Sequence, residues 1–162
     1  MRVPHRRERQ RRGGAVVETA AVMPIIIALV FGQIEFARLG MASQMLTIAA
    51  REGCRVAVLD FDPSTGAPVD LSAVQKQINN YLIGASIPQN QIPTLTAVDG
   101  DPGTVGAWIM PSNWSTCSMG TPITVVLRIP YAQISWLPNP TYLQSANVTG
   151  SASINSEHVP SS

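Results

Sequence analysis

The stretch RRGGAVVETAAVMPIIIALVF, residues 11–31, places two arginines and two glycines immediately before an apolar run. The sixteen residues 19–34 carry no formal charge. As a helix they rise only about 24 Å, less than the roughly 30 Å hydrocarbon core of a bilayer. Extending the run back to Gly14 gives twenty-one residues, which is long enough to cross, but the extension includes Glu18. Residues 14–34 are therefore predicted to form a transmembrane helix that contains a carboxylate.

Basic residues are concentrated at the N-terminus. Six of the eleven lie within residues 1–12, and residues 14–162 retain five basic and nine acidic side chains, a balance of −4. Arg-rich flanks of membrane helices stay in the cytoplasm, so the N-terminus is predicted to be cytoplasmic and the C-terminal part to be exported. The mildly acidic body lacks the basic surface of a nucleic-acid-binding protein, and no nucleic acid partner is expected.

The apolar run is not followed by a convincing A-x-A-like cleavage site, because it passes into GQIEFARLGMASQML and continues as a helix. An ordinary cleaved secretory signal is therefore not predicted. The Gly13–Gly14 pair, at the junction of arginines and apolar residues, is a step of small residues that a protease could cleave instead.

Residues 11–58 resemble the N-terminal region of TadE-like proteins, the pilin-like minor components of the tight-adherence (Flp-type) pilus machinery. Within them, RRGGAVVETA resembles a prepilin-peptidase site, in which a basic leader ends in glycine and glutamate is fifth in the mature chain. Cleavage after Gly13 makes Gly14 the first residue and Glu18 the fifth. The resemblance implies a leader of residues 1–13.

The same resemblance implies a bacterial inner-membrane protein that spans the membrane once, with its C-terminal domain periplasmic or extracellular. The implied partners are membrane lipid, prepilin peptidase, other pilin-like subunits and pilus assembly proteins. The implied function is that of a minor pilin or pseudopilin-like subunit for assembly of a tight-adherence type IVb pilus. The alternative is a signal-anchored bitopic protein whose external domain binds a partner, and which is neither processed nor assembled into a pilus.

Glu18 requires a partner, because a carboxylate at the centre of a membrane helix costs about 2.5–3.5 kcal/mol and less near an interface. Cleavage would create an α-amino group on Gly14, about one helical turn away. By resemblance to pilins, Glu18 of one subunit would meet the N-terminus of another and set their axial register. The alternative is that Glu18 lies at the level of the headgroups, hydrated or paired with Arg12.

Pro24 removes one backbone hydrogen bond from the apolar helix, so a kink is expected near residues 20–24. In a pilin-like protein this softness could help a subunit leave the bilayer and pack into an assembly. The simpler interpretation is a bend without a role.

The helix is predicted to continue through residues 35–59 and to pack onto an external domain formed by residues 60–162. Apolar residues at three- and four-residue spacings form the predicted packing stripe: Met41, Met45, Ile48, Val56 and Leu59. Residues 60–70 faintly resemble a calcium loop, but the twelfth position is Leu71 rather than glutamate, so a turn is expected.

The external domain is predicted to contain a second helix over residues 71–83, ended by Gly84, followed by short strands. Four runs of strand-favouring residues lie between turn-rich pieces: 94–98, 107–110, 122–129 and 147–154. The predicted fold class is α+β, with a long membrane-spanning helix that continues into a small pilin-like domain made of the second helix and a short antiparallel sheet.

Cys54 and Cys117 do not form a CxxC motif. In an oxidising compartment a disulfide between them could link the long helix to the sheet. In the chain-entropy model such a bridge stabilises the folded domain by about 4 kcal/mol. The alternative is two separately buried thiols.

Catalytic and metal-binding patterns are missing from the sequence. His5 and His158 lie at opposite ends of the chain, and no glycine-rich phosphate loop is present. Neither an enzyme activity nor a cofactor or metal is predicted, which disfavours a membrane-anchored enzyme. Three tryptophans could contact partners if they are exposed, although positions in the core are the simpler interpretation: Trp108, Trp114 and Trp136.

Overall fold

A computed structural model describes residues 6–59, 68–85, 87–134 and 145–157, the first eight of them as backbone only. The helices are α1, Arg6–Ala57, α2, Leu71–Gly84, and the short α3, Tyr131–Ile134, with a 3-10 turn at Gln89–Gln91. The strands are β1, Leu95–Ala97, β2, Gly106–Met110, β3, Pro122–Pro130, and β4, Asn147–Asn155. This layout confirms the predicted α+β class and places all four strands where the sequence predicted them.

The chain divides into two units, Met1–Arg38 and Leu39–Ser162. In the first unit, α1 is exposed at every residue of 14–34 and stays helical through Pro24. Helix Gly14–Ala57 is long and apolar enough to cross a membrane. The long apolar helix is thus confirmed, whereas the kink expected near Pro24 stays a prediction.

In the second unit, α1 buries a different face from the one predicted. Met41 and Ile48 are 56% and 40% exposed, so the predicted packing stripe is wrong at these two positions. Val56 and Leu59, at its other end, are half-buried and pack against the core. The buried face is instead made mostly of small residues: Ala42, Leu46, Ala49, Ala50, Gly53, Cys54 and Ala57.

The small residues on this face follow from how closely the helix approaches the sheet. A Cβ at Gly150 in β4 would lie 2.3 Å from the carbonyl carbon of Leu46 and 2.4 Å from the amide nitrogen of Thr47. Nearby, the Ser43 hydroxyl donates to the carbonyl oxygen of Thr149 at 3.5 Å. The helix backbone packs directly on the strand backbone here, so the buried positions of the helix are mostly alanines and Leu46 is the large side chain among them.

Helix α2 begins at a capped N-terminus and packs on α1. The Asp70 carboxylate accepts from the Ala73 backbone N–H at 2.8 Å, which satisfies one of the free N–H groups of the first turn. Three residues at four-residue spacing are fully buried: Val74, Ile78 and Leu82. On the facing helix, a Cβ at Gly53 would lie 2.9 Å from the Ile78 side chain, so the two helices also pack closely. The predicted second helix is confirmed.

The sheet has the strand order β1-β2-β3-β4. The pairs β2–β3 and β3–β4 are antiparallel, but β1 is parallel to β2, with Leu95 opposite Ala107. The sheet is therefore mixed, which corrects the prediction of an antiparallel sheet. Parallel pairing requires the chain to return to the same end of the sheet, and the connection of residues 98–105 does this.

The two faces of the sheet differ because successive side chains of a strand point to opposite sides. In β3, the side chains that belong to the core with α1 and α2 are Ile123, Val125, Leu127 and Ile129. Val126 and Arg128 point to the other side, which is called the outer face below. Of the predicted loop 60–70, residues 60–67 lie outside the described residues, and so does Trp136.

Candidate functional site

The two glycines of the predicted cleavage step lie within α1. Gly14 is exposed, and a Cβ at this position would meet nothing within 4 Å. Its backbone is thus sterically open, although it is part of a helix and a peptidase would have to unwind that turn. Gly13 belongs to the same helix, and its exposure lies outside the description.

Glu18 is exposed and lies four residues, about one helical turn, after Gly14. Among the residues whose side chains are described, none forms an ion pair with it. The neighbouring Thr19 hydroxyl donates to the Ala15 carbonyl oxygen at 2.8 Å and is satisfied within the helix. The partner predicted for Glu18 therefore does not come from the described side chains, and its identity stays a prediction.

Pro24 lies six residues, about one and two-thirds turns, after Glu18 in α1. Because proline has no backbone N–H, the carbonyl of Ala20 lacks its usual helical donor. The side chains around Pro24 are large, apolar and exposed: Val22, Met23, Ile25, Ile26 and Ile27. The structure thus places Gly14, Glu18 and Pro24 on one exposed apolar helix, as the sequence predicted, while their roles in processing and assembly stay predictions.

The two cysteines are buried in the second unit as free thiols. The Cys54 thiol donates to the Ala152 carbonyl oxygen at 3.3 Å, and burial raises its pKa to about 11. The Cys117 thiol donates to the Trp114 carbonyl oxygen at 3.1 Å. Cys54 and Cys117 are not bridged in the structure, which agrees with the alternative of two separately buried thiols.

A polar cluster on the outer face was not predicted from the sequence. Arg128 in β3 forms an ion pair with Asp101, with Nη2 and Oδ2 2.8 Å apart. The hydrogen bonds from Arg128 and from the Gly103 backbone N–H hold the pKa of Asp101 below its ordinary value. Hydrogen bonds from Ser112 lower the pKa of Asp99 in the same way. The only sequence signal was DGDPG, residues 99–103, which by itself indicates a turn.

Two of the three tryptophans and most of the acidic side chains lie among the described residues. Trp108 and Trp114 are buried, at 7% and 5% exposure. Trp114 belongs to the core with α1 and α2, as predicted, whereas Trp108 is buried outside that core. Within the described residues, no group of three or more His, Cys, Asp or Glu side chains could hold a metal ion. His5 and His158 lie outside the described residues.

The comparisons with known proteins concern the segment that carries Gly14, Glu18 and Pro24. Searches of curated proteins and of solved structures gave no match. Residues 13–55 match the family model described as TadE-like protein. The matched segment includes the exposed apolar part of α1 and the part of the helix that packs on the sheet. The match confirms the resemblance predicted from the sequence.

Proposed function

We propose that the chain is a minor pilin or pseudopilin-like subunit for the assembly of a tight-adherence type IVb pilus. The observation that carries the proposal is the TadE-like match over residues 13–55, which contains the cleavage step, the acid and the proline. The protein is anchored in the inner membrane by α1, with its N-terminus in the cytoplasm. Its sheet-bearing domain is exported.

The proposed mechanism begins with the precursor held in the bilayer by the apolar helix. A prepilin peptidase cleaves after Gly13, and the new α-amino group of Gly14 carries a positive charge. Glu18 of one subunit then meets this amine on a neighbouring subunit. A charge pair of this kind offsets the desolvation of the carboxylate. Neighbouring subunits are therefore most stable at the axial offset that brings Glu18 of one next to the Gly14 amine of the other.

Two features of α1 support this mechanism. The apolar side chains of residues 14–34 are exposed all round the helix, as expected of a segment that packs against lipid or against other helices. The hydroxyl of Thr19 donates to the Ala15 carbonyl oxygen and carries no charge, so the carboxylate of Glu18 is the stronger acceptor for the amine. Assembly needs no catalytic group of this chain, because the chemistry belongs to the peptidase and the pilus machinery.

Cleavage is tested by expressing the full chain with an active prepilin peptidase and measuring its intact mass. The expected product begins at Gly14, and a peptidase with an inactivated catalytic site should leave the chain whole. Gly13→Val should block cleavage, while Gly32→Ala, a matched change in the same helix with open space around it, should not. An uncut parent chain, under conditions in which the peptidase cleaves another prepilin, would contradict the proposal.

The signal-anchored alternative is favoured by one observation. Gly13 and Gly14 lie inside a continuous helix, Arg6–Ala57, and a helical peptide bond must unwind before a protease can cleave it. In this alternative the N-terminus remains Met1, α1 is a permanent anchor and the external domain binds a partner. The same mass measurement distinguishes the two functions.

A further inference from the structure

The connection between β1 and β2 crosses the outer face of the sheet. Its residues 99–105 are all exposed, and we call this segment the strap. Glycines lie at positions 100 and 103 and directly after the strap at 106, with φ of 71° at Gly103 and 157° at Gly106. The strap thus buries no side chain of its own and has glycines at the places where a segment turns.

Arg128 holds the strap against the sheet. Its guanidinium donates to both carboxylate oxygens of Asp101, at 3.2 and 2.8 Å, and to the Thr104 carbonyl oxygen at 3.1 Å. A further bond of 3.1 Å runs from Nε to the Thr149 hydroxyl in β4. Arg128 therefore contacts the strap at two residues, and its hydrogen bond to Thr149 in β4 holds the side chain in place.

An aromatic ring lies beneath this arrangement. The Arg128 guanidinium carbon lies 5.7 Å from the centroid of the Trp108 ring, and a Cβ at Gly106 would approach the ring to 2.6 Å. Val126 is opposite Trp108 in the adjacent strand and is 5% exposed. Both side chains are buried, yet neither belongs to the core that the sheet forms with α1 and α2.

We propose that the strap is a hinged cover over Trp108 and that the ion pair between Asp101 and Arg128 is its latch. The pair is bidentate and the Arg128 side chain is only 14% exposed, so it contributes more than an ordinary surface ion pair. Asp101 is 40% exposed, so salt still screens the pair and the cover can open. Opening converts a polar face of the sheet into one that presents an indole ring and Val126. The device is independent of the pilus assembly proposed above.

The test uses the full chain in detergent micelles, labelled with 5-fluorotryptophan and observed by fluorine NMR. Trp108→Phe identifies the Trp108 resonance, and the shift between H2O and D2O reports its contact with water. Asp101→Asn should raise this solvent shift several-fold and leave that of the buried Trp114 unchanged. Arg128→Lys, which keeps the charge but loses the planar fork, should have the same effect.

Asp99→Asn is the matched control, because Asp99 is in the same strap but accepts its hydrogen bonds from the backbone N–H and the hydroxyl of Ser112. It should leave Trp108 as protected as in the parent. The proposal is overturned if Trp108 stays protected in both the Asp101 and the Arg128 variants. It is equally overturned if Trp114 gains solvent contact together with Trp108, since that result means general loosening of the domain.

Discussion

At the scale of single residues, Glu18 carries the proposed assembly contact, and glutamine in its place removes the charge while keeping the shape. Glu18→Gln should insert in the membrane and be cleaved like the parent. Its association with other subunits should fall about thirtyfold or more, since loss of one partner of a desolvated charge pair costs about 2–5 kcal/mol. Copurification of tagged and untagged copies from membranes measures this association.

The control for this variant is Glu52→Gln in the same helix. Glu52 is paired with Arg55 at 3.7 Å, and Arg55 is 74% exposed, so the pair contributes little. Its loss should leave association unchanged. If Glu18→Gln associates as strongly as the parent, the contact between Glu18 and the Gly14 amine plays no part in assembly.

At the scale of elements, the crossing of α1 over β4 depends on Gly150. Gly150→Ala should destabilise the domain by about 3 kcal/mol or more, the upper end of the usual cost of overpacking, because the added methyl would meet helix backbone rather than a movable side chain. Gly84→Ala is the control, since a Cβ there would meet nothing within 4 Å. Thermal unfolding of the full chain in detergent measures the difference, and a parent-like Gly150→Ala would mean that the helix does not lie against the strand.

The same crossing explains which elements could be predicted and which contacts could not. Periodicity and strand-favouring residues identified α1, α2 and all four strands, because these signals are local in the sequence. The packing face of α1 was assigned to large residues such as Met41 and Ile48, but the close approach of the backbones at Gly150 favours a face made mostly of small residues. Such a distance is a tertiary property, so hydrophobic periodicity alone does not reveal it.

The direction of β1 and the outer-face cluster were unpredictable for a related reason. A run of three residues contains no information on whether its neighbour is parallel, and Arg128 meets Asp101 only because the strap crosses the sheet. For the candidate site the situation is reversed. Gly13, Gly14 and Glu18 form a motif of consecutive turns in one helix, so sequence spacing alone defined their geometry.

At the scale of the whole molecule, the free energy of unfolding of the second unit should fall at both acidic and alkaline pH. Asp70, Asp99 and Asp101 have pKa values held below 3.8 by hydrogen bonds in the folded chain. Their contribution is present above 3.8 and is lost as the pH falls through the folded values. These carboxylates are exposed, so the acid limit should be gradual and should weaken with added salt.

Cys54 sets the expected alkaline limit, because burial raises the pKa of its thiol from 9.0 to about 11. The folded chain keeps this proton where the unfolded chain has lost it, so the stabilisation is complete below 9.0 and disappears as the pH rises through about 11. The free energy of unfolding should fall by up to about 2–3 kcal/mol over this interval. Unfolding temperatures under reducing conditions, measured at intervals from pH 7, test it. Cys54→Ala should lower stability at neutral pH by leaving a small cavity, but its stability should fall less steeply at alkaline pH. If stability falls as steeply in Cys54→Ala as in the parent, another group is responsible for the alkaline limit.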